Sequence, residues 1–319
     1  MPPLIELGLG LIVLVAGGEI LVRGAVAAAN RLGVSPLLIG LVLVGLGTSA
    51  PELVTSIKAA LSGAPGLAVG NVVGSNIANV LLILGTTALV APIAVNLASL
   101  KRDAGAMLIA TALASFALLG LDGIGRGVGI GFLLALAAYL IVAYRAETRD
   151  PDPASEVHTL EAQEVEQNTP TMGLMAALGL TAAGLALTLL GANWLVSGAI
   201  WLASSLGMSD AVIGLTVVAI GTSLPELTAG IIAALRGHAA VALGNVLGSN
   251  IYNLLLILGA TGVVAPITTP ADLSLVDVGL MAAAALVLVP IAMTGLRISR
   301  REGAVLLATY GAYLTYLLI

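Results

Sequence analysis

Apolar runs long enough to cross a bilayer follow one another almost without pause from residue 4 to residue 318. A helix needs about 20 apolar residues to span the hydrocarbon. Only helices and closed barrels satisfy their own backbone there. The expected spans are 4–29, 36–61, 67–91, 103–120, 127–144, 172–205, 209–235, 240–265, 274–293 and 303–318. This predicts an all-α integral membrane protein of ten transmembrane helices. Only 9% of the 319 residues are charged, where a soluble domain carries about 25%. That shortfall excludes a soluble enzyme, a nucleic-acid binder and a disordered chain. Cysteine is absent, which excludes disulfides, thiolate metal sites and Cys nucleophiles. The first run lacks a basic leader and outlasts a signal-peptide core, so it reads as a retained span.

Residues 145–171 interrupt the pattern with seven acids against Arg145 and Arg149, a net of −5 that equals the excess of the whole chain. The stretch reads as a solvated linker between two halves, 1–144 and 172–319. Ten of the twelve Lys and Arg residues lie in or beside the odd-numbered connections: Arg23, Arg31, Lys101, Arg102, Arg145, Arg149, Arg236, Arg297, Arg300 and Arg301. Only Lys58 and Arg126 lie in the even ones. Positive charge stays on the cytoplasmic side. The expectation is a multi-pass protein of a prokaryotic plasma (inner) membrane, with both termini outside and the acidic linker in the cytoplasm.

The two halves match at a fixed offset of 174 residues. Residues 47–85 and 221–259 agree at 25 of 39 positions without a gap. The agreement includes Gly, Thr, Ser, Pro, Glu and Asn, which chance similarity between apolar helices does not supply. Five spans per half is an odd number, so the second half must enter the membrane upside down. Inverted repeats place matching motifs near the midplane, facing each other.

The first doubled motif is G-T-S-x-P-E, at 47–52 and 221–226. Carboxylates at mid-membrane are costly and point to function, and here they are Glu52 and Glu226. Pro51 and Pro225 cannot donate backbone hydrogen bonds, which predicts broken helices 2 and 7. Such breaks are tolerated only where they are buried or line a cavity. They add the hydroxyls of Thr48, Ser49, Thr222 and Ser223 to the carboxylates, an all-oxygen set suited to hard cations. The second motif, G-N-V-x-G-S-N-I-x-N at 70–79 and 244–253, puts Asn71, Ser75 and Asn79 on one helical stripe, with Asn245, Ser249 and Asn253 as its mate. Gly70 and Gly74 permit close approach of a neighbouring helix. The two acids carry a charge that one Ca2+ would neutralise. A Mg2+ site is less natural, because that ion dehydrates reluctantly.

These paired blocks resemble the two alpha-repeats of the cation/calcium antiporter superfamily, specifically its sodium/calcium exchanger branch. The resemblance covers the whole ten-span layout. It implies a fold of two inverted five-helix repeats in which long tilted spans 1 and 6 slide past a core of the other eight. It implies ion ligands at Glu52 and Glu226, at Thr48, Ser49, Thr222 and Ser223, at Ser75 and Ser249, and at Asn79 and Asn253. Backbone carbonyls of Gly45 and Ala219 complete the set. The implied activity is electrogenic exchange of Na+ for Ca2+ by alternating access, with transported ions as substrates and no cofactor. The implied partners are membrane lipid and those ions, with no nucleic acid, in a functional monomer. Relatives that require potassium have Asp at the position of Asn253, so the resemblance implies independence from K+. Proton-coupled relatives carry an acid near the second motif, which this chain lacks. The long regulatory calcium-binding loop of animal exchangers is also absent.

Competing readings remain. The same Glu pair could serve a Ca2+/H+ antiporter, and the broken helices could line a passive cation channel. Ser75 or Ser249 could be the nucleophile of an intramembrane hydrolase, but such a serine needs an activating base, and no His or Lys accompanies either. Glu19 reads as a structural partner of Arg23, four residues on. Asn71, Asn76, Asn245 and Asn250 read equally as interhelical glue or as oxygen donors. His158 and His238 fall in polar connections and read as exposed.

Overall fold

The computed structural model describes residues 2–35, 38–39, 42, 45–121, 123–149, 159, 163, 165, 172–235 and 239–318. Most of the acidic linker, most of 36–44, His158 and His238 lie outside the described residues. The chain is almost wholly helical. Its helices are α1 (Pro3–Arg31), α2 (Gly45–Thr48), α3 (Ala50–Leu61), α4 (Pro65–Val90), α5 (Leu97–Gly120), α6 (Arg126–Arg149), α7 (Leu174–Leu206), α8 (Asp210–Thr222), α9 (Leu224–Leu235), α10 (Ala239–Val264), α11 (Leu275–Met293) and α12 (Arg300–Leu318). Helix is present in each of the ten expected spans. Among the described residues, seven helices are long and apolar enough to cross a membrane, and α8 with α9 makes an eighth, bent by 44°.

Burial separates two classes of helix. In its most apolar stretch α4 is 94% buried, while α1, α6 and α7 are 22–28% buried. The outer helices present Leu4, Ile12, Leu134 and Met175 to the surroundings. Helices apolar all round and exposed on one side have hydrocarbon as their solvent. The centre is built from α4 and α10, with Val72, Val73, Ile77, Ile251, Leu254 and Ile257 in one continuous core.

The long helices α1 and α7 lie antiparallel along one seam. Glycines at 10, 17 and 24 face Leu195, Thr188 and Thr181, and those at 184, 191 and 198 face Leu21, Leu14 and Leu7. A β-carbon at any of the six would come within 3 Å of backbone across the seam. The spacing is seven residues, and each member of the first set has its mate 174 residues on. Every second turn therefore lets the backbones touch.

Other contacts also recur at the offset. Tyr139 donates to Asp103 at 3.1 Å and Tyr313 to Asp277 at 2.8 Å, each fastening the last two helices of its half. Arg102 adds Asp103 and Glu147, both at 2.7 Å, in the first half only. Two short antiparallel ribbons join the halves: Ile93–Ala94 (β1) with Arg297–Ile298 (β4), and Gly123–Ile124 (β2) with Ile267–Thr268 (β3). These ribbons are themselves repeat mates. The expected Glu19–Arg23 pair forms at 2.7 Å on the outer face of α1.

Candidate cation site

Each broken helix breaks one residue before the position of its motif's variable residue. Ser49 (φ −84°, ψ 1°) separates α2 from α3, and Ser223 (φ −88°, ψ 7°) separates α8 from α9. Proline at the second position of α3 and α9 accounts for this, because a helix start tolerates a missing N–H. Glu52 and Glu226 then fall in the first turns of α3 and α9, where the helix dipole favours negative charge. Each is 2% exposed, and they lie within electrostatic reach of one another. The carbonyls of Gly45 and Ala219 accept from the backbone N–H of Ser49 (3.4 Å) and Ser223 (3.1 Å). The Gly45 carbonyl also accepts from the Thr48 hydroxyl at 3.3 Å, and the Thr222 hydroxyl oxygen lies 3.4 Å from the Ala219 carbonyl.

Hydrogen bonds across the repeats assemble the centre. Ser223 Oγ donates to Glu52 Oε1 at 3.4 Å. Thr222 Oγ1 donates to Asn71 Oδ1 at 3.2 Å, while Asn71 Nδ2 donates to the Glu52 carbonyl at 3.3 Å and to Ser56 Oγ at 3.0 Å. Asn79 Nδ2 donates to Asn250 Oδ1 at 2.9 Å. Asn71 is thus the hub between the halves, and Asn250 holds a residue of the opposite repeat. The sequence reading left both as glue or donor. Their distinguishing signal, a partner in the other half, exists only after folding.

The oxygens left over matter most. Among the described residues, Ser49 Oγ, Glu52 Oε2, Ser75 Oγ, Asn79 Oδ1 and Glu226 Oε2 are buried without a hydrogen-bond partner. Buried polar atoms are almost always paired, and an unpaired one costs about 1–3 kcal/mol. Elsewhere the buried atoms without a hydrogen bond are the neutral hydroxyls of Thr55, Thr87, Ser115, Thr261 and Tyr310 and the Asn76 amide oxygen, while the buried Glu147 carboxylate is ion-paired with Arg102 at 2.7 Å. The five at the motifs combine two carboxylates with neutral oxygens, a donor set that suits Ca2+ or Na+. The described residues hold no cluster of three or more His, Cys, Asp and Glu, and the groups beside the two carboxylates are amides and hydroxyls.

A feature absent from the sequence reading is the π-helical turn. Wide turns cover Asn79–Ile83, Gly214–Val218 and Tyr252–Ile257. The first starts at Asn79, the second ends just before Ala219, and the third begins one residue before Asn253. In the first and third, the carbonyls of Asn79 and Asn253 accept from residues five positions on. Such bulges shift the side-chain register locally and concentrate at functional sites.

The halves are not equally closed. A β-carbon at Gly70 or Gly74 would strike the backbone of Ala211 or Leu215 in α8, within 3 Å. At Gly248, the mate of Gly74, no described atom lies within 4 Å of that position. Gly70, Asn71 and Gly74 are buried, whereas Gly244, Asn245 and Gly248 are half-buried. Thr48 is half-buried and Thr222 is buried. Ser249 Oγ is turned aside to Asn245 Oδ1 at 3.3 Å. Among the described residues α8 closes on α4 at Gly70 and Gly74, while the repeat mates of Ala211 and Leu215, residues 37 and 41, lie outside the described residues.

Known proteins share this arrangement. The family model for sodium/calcium exchanger proteins matches residues 3–145 and again 176–319, once in each half. The sodium/calcium exchanger MaX1 of Methanosarcina acetivorans is 36% identical, over 97% of this chain and 96% of its own. The inner membrane protein YrbG of Escherichia coli is 35% identical, over 81% of this chain and 78% of its own. A solved structure of the sodium-calcium exchanger NCX_Mj, soaked with Na+ and Sr2+, aligns with a TM-score of 0.66 at 32% identity, covering 98% of this chain and 97% of that one.

Proposed function

The chain belongs to the sodium/calcium exchanger protein family, and from that membership we propose an electrogenic, K+-independent antiporter that exchanges Na+ for Ca2+ by alternating access. Members of this family are transporters rather than enzymes, and the chain is a cation/calcium antiporter of the membrane. The finer reading is carried by one observation: the unpaired oxygens at Ser49, Glu52, Ser75, Asn79 and Glu226, of which two are carboxylates.

Two buried carboxylates are an uncompensated charge at mid-membrane, and moving them past the hydrocarbon without a cation is costly. One Ca2+ cancels them. With Na+, the same carboxylates are divided among separate ions, and Ser49, Ser75, Asn79 and their mates Ser223, Ser249 and Asn253 supply neutral oxygens. Thr48, Thr222 and the carbonyls of Gly45 and Ala219 flank the carboxylates from the broken helices. Shared ligands make the two cargoes exclusive, so exchange follows from competition. The absence of a third acid at Asn253 supports independence from K+. With five spans in each half, the halves are two inverted five-helix repeats whose paired motifs face each other.

The test is 45Ca2+ uptake into Na+-loaded proteoliposomes. Uptake should require the outward Na+ gradient, proceed without K+ and respond to membrane potential. Uptake that follows a pH gradient and ignores Na+ would select the Ca2+/H+ antiporter instead. Glu52→Gln and Glu226→Gln should each lower apparent Ca2+ affinity about a hundredfold, as loss of a charged contact predicts. Wild-type exchange by both variants would remove the site assignment.

A further inference from the structure

We infer that Asn250 is a positioning residue that fixes the Asn79 amide with its carbonyl oxygen turned to the cation. The inference rests on the cation site proposed above. Three side chains form a directional relay. Asn250 Nδ2 donates to Met107 Sδ at 3.6 Å, and Asn250 Oδ1 accepts from Asn79 Nδ2 at 2.9 Å. A thioether only accepts. Met107 therefore draws the Nδ2 end of Asn250 toward itself, which leaves the Oδ1 end for Asn79. Asn79 must then spend its donor on Asn250. Its Oδ1, buried and without a partner among the described residues, is left free to accept a cation. Both asparagines are at most 2% exposed and Met107 is fully buried, so water does not compete for these bonds.

A free amide flips between presenting oxygen and presenting NH2 at little cost, and the second orientation repels a cation. The relay removes it. All three members recur 174 residues away, as Asn253, Asn76 and Met281. That second set is unassembled: Asn76 Nδ2 turns to its own backbone at Val72 O, 2.8 Å away, and its Oδ1 has no described partner. The two amide ligands are therefore inequivalent, with Asn79 held and Asn253 not held by its mate relay.

The test compares Asn250→Leu, Asn79→Leu and the double variant by equilibrium 45Ca2+ binding to purified protein and by flux. Asn250→Leu should weaken Ca2+ binding about five- to tenfold, the worth of one well-made polar contact, with the flux at saturating Ca2+ unchanged. In the Asn79→Leu background it should cost less than about twofold, because its effect passes through that amide. Asn250→Asp keeps an acceptor toward Asn79 and should retain at least wild-type affinity, which guards against a leucine variant that fails to fold. Equal losses from Asn250→Leu in both backgrounds, unchanged binding in Asn250→Leu, or weakened binding in a folded Asn250→Asp would each overturn the inference. A wild-type protein that binds no Ca2+ would instead overturn the proposed site itself.

Discussion

Asn71 is the residue on which most of the centre depends. It touches the Glu52 backbone, Ser56 and, across the repeat boundary, Thr222. Replacing it with leucine removes three buried hydrogen bonds, while Ser56 keeps the Ala68 carbonyl and Thr222 those of Val218 and Ala219, so Asn71→Leu should destabilise the detergent-solubilised protein by roughly 1–3 kcal/mol, at about 1 kcal/mol per bond. Thermal unfolding measures it. Tyr313→Phe removes only one hydrogen bond to Asp277. It should cost about 1 kcal/mol and leave Ca2+ affinity as it was, which binding on the same preparation checks. The sequence singled out the carboxylates and hydroxyls, because a charge in an apolar run is conspicuous. It did not distinguish Asn71 and Asn250 from Asn245 and Asn76. All four sit in identical motifs, and only the neighbour reached by each side chain separates them.

At the scale of elements, the glycine seam between α1 and α7 sets how the longest helices meet. With backbones in contact at Gly10, Gly17 and Gly24, and at their mates, α1 and α7 are held closely to one another along their length. Gly17→Val would push against the Thr188 and Leu187 backbones. The expected outcome is a maximal exchange rate lowered tenfold or more with Ca2+ binding preserved, read by comparing flux with equilibrium binding. A loss of binding equal to the loss of flux would show that the seam shapes the site rather than the motion. The seven-residue spacing of these glycines is present in the chain, but nothing in the string says that the two sets face each other. The π turns at Asn79 and Tyr252 had no such signal. An inserted residue in a helical ladder leaves the apolar pattern of a fully buried helix unchanged, since α4 has no exposed face to fall out of phase.

For the whole molecule, the natural absence of cysteine makes sidedness directly measurable. Gly248→Cys, on the half-buried face of α10, should react with a membrane-impermeant thiol reagent applied from the cytoplasm. Thr222→Cys, buried against α4, should be protected under the same conditions. Saturating Ca2+ should slow the reaction at residue 248 if loading closes the route. Labelling of Gly248→Cys from the outside alone would reverse the proposed orientation.

The chain by itself determined that the protein lives in a membrane, that it is doubled and that two acids sit at the centre of the doubling. Transfer free energies act residue by residue, and a repeat is a property of the string. Tertiary structure alone decided which copy of the amide relay is assembled. Asn79 is clamped by Asn250, while Asn76, the mate of Asn250, turns to its own helix and leaves Asn253 without that relay. Two nearly identical segments cannot differ through their own sequences. They differ in the neighbours that packing brings to them: among the described residues α7 lies along α3, while α1 has no comparable contact with α9. The asymmetry that transport needs therefore belongs to the packing.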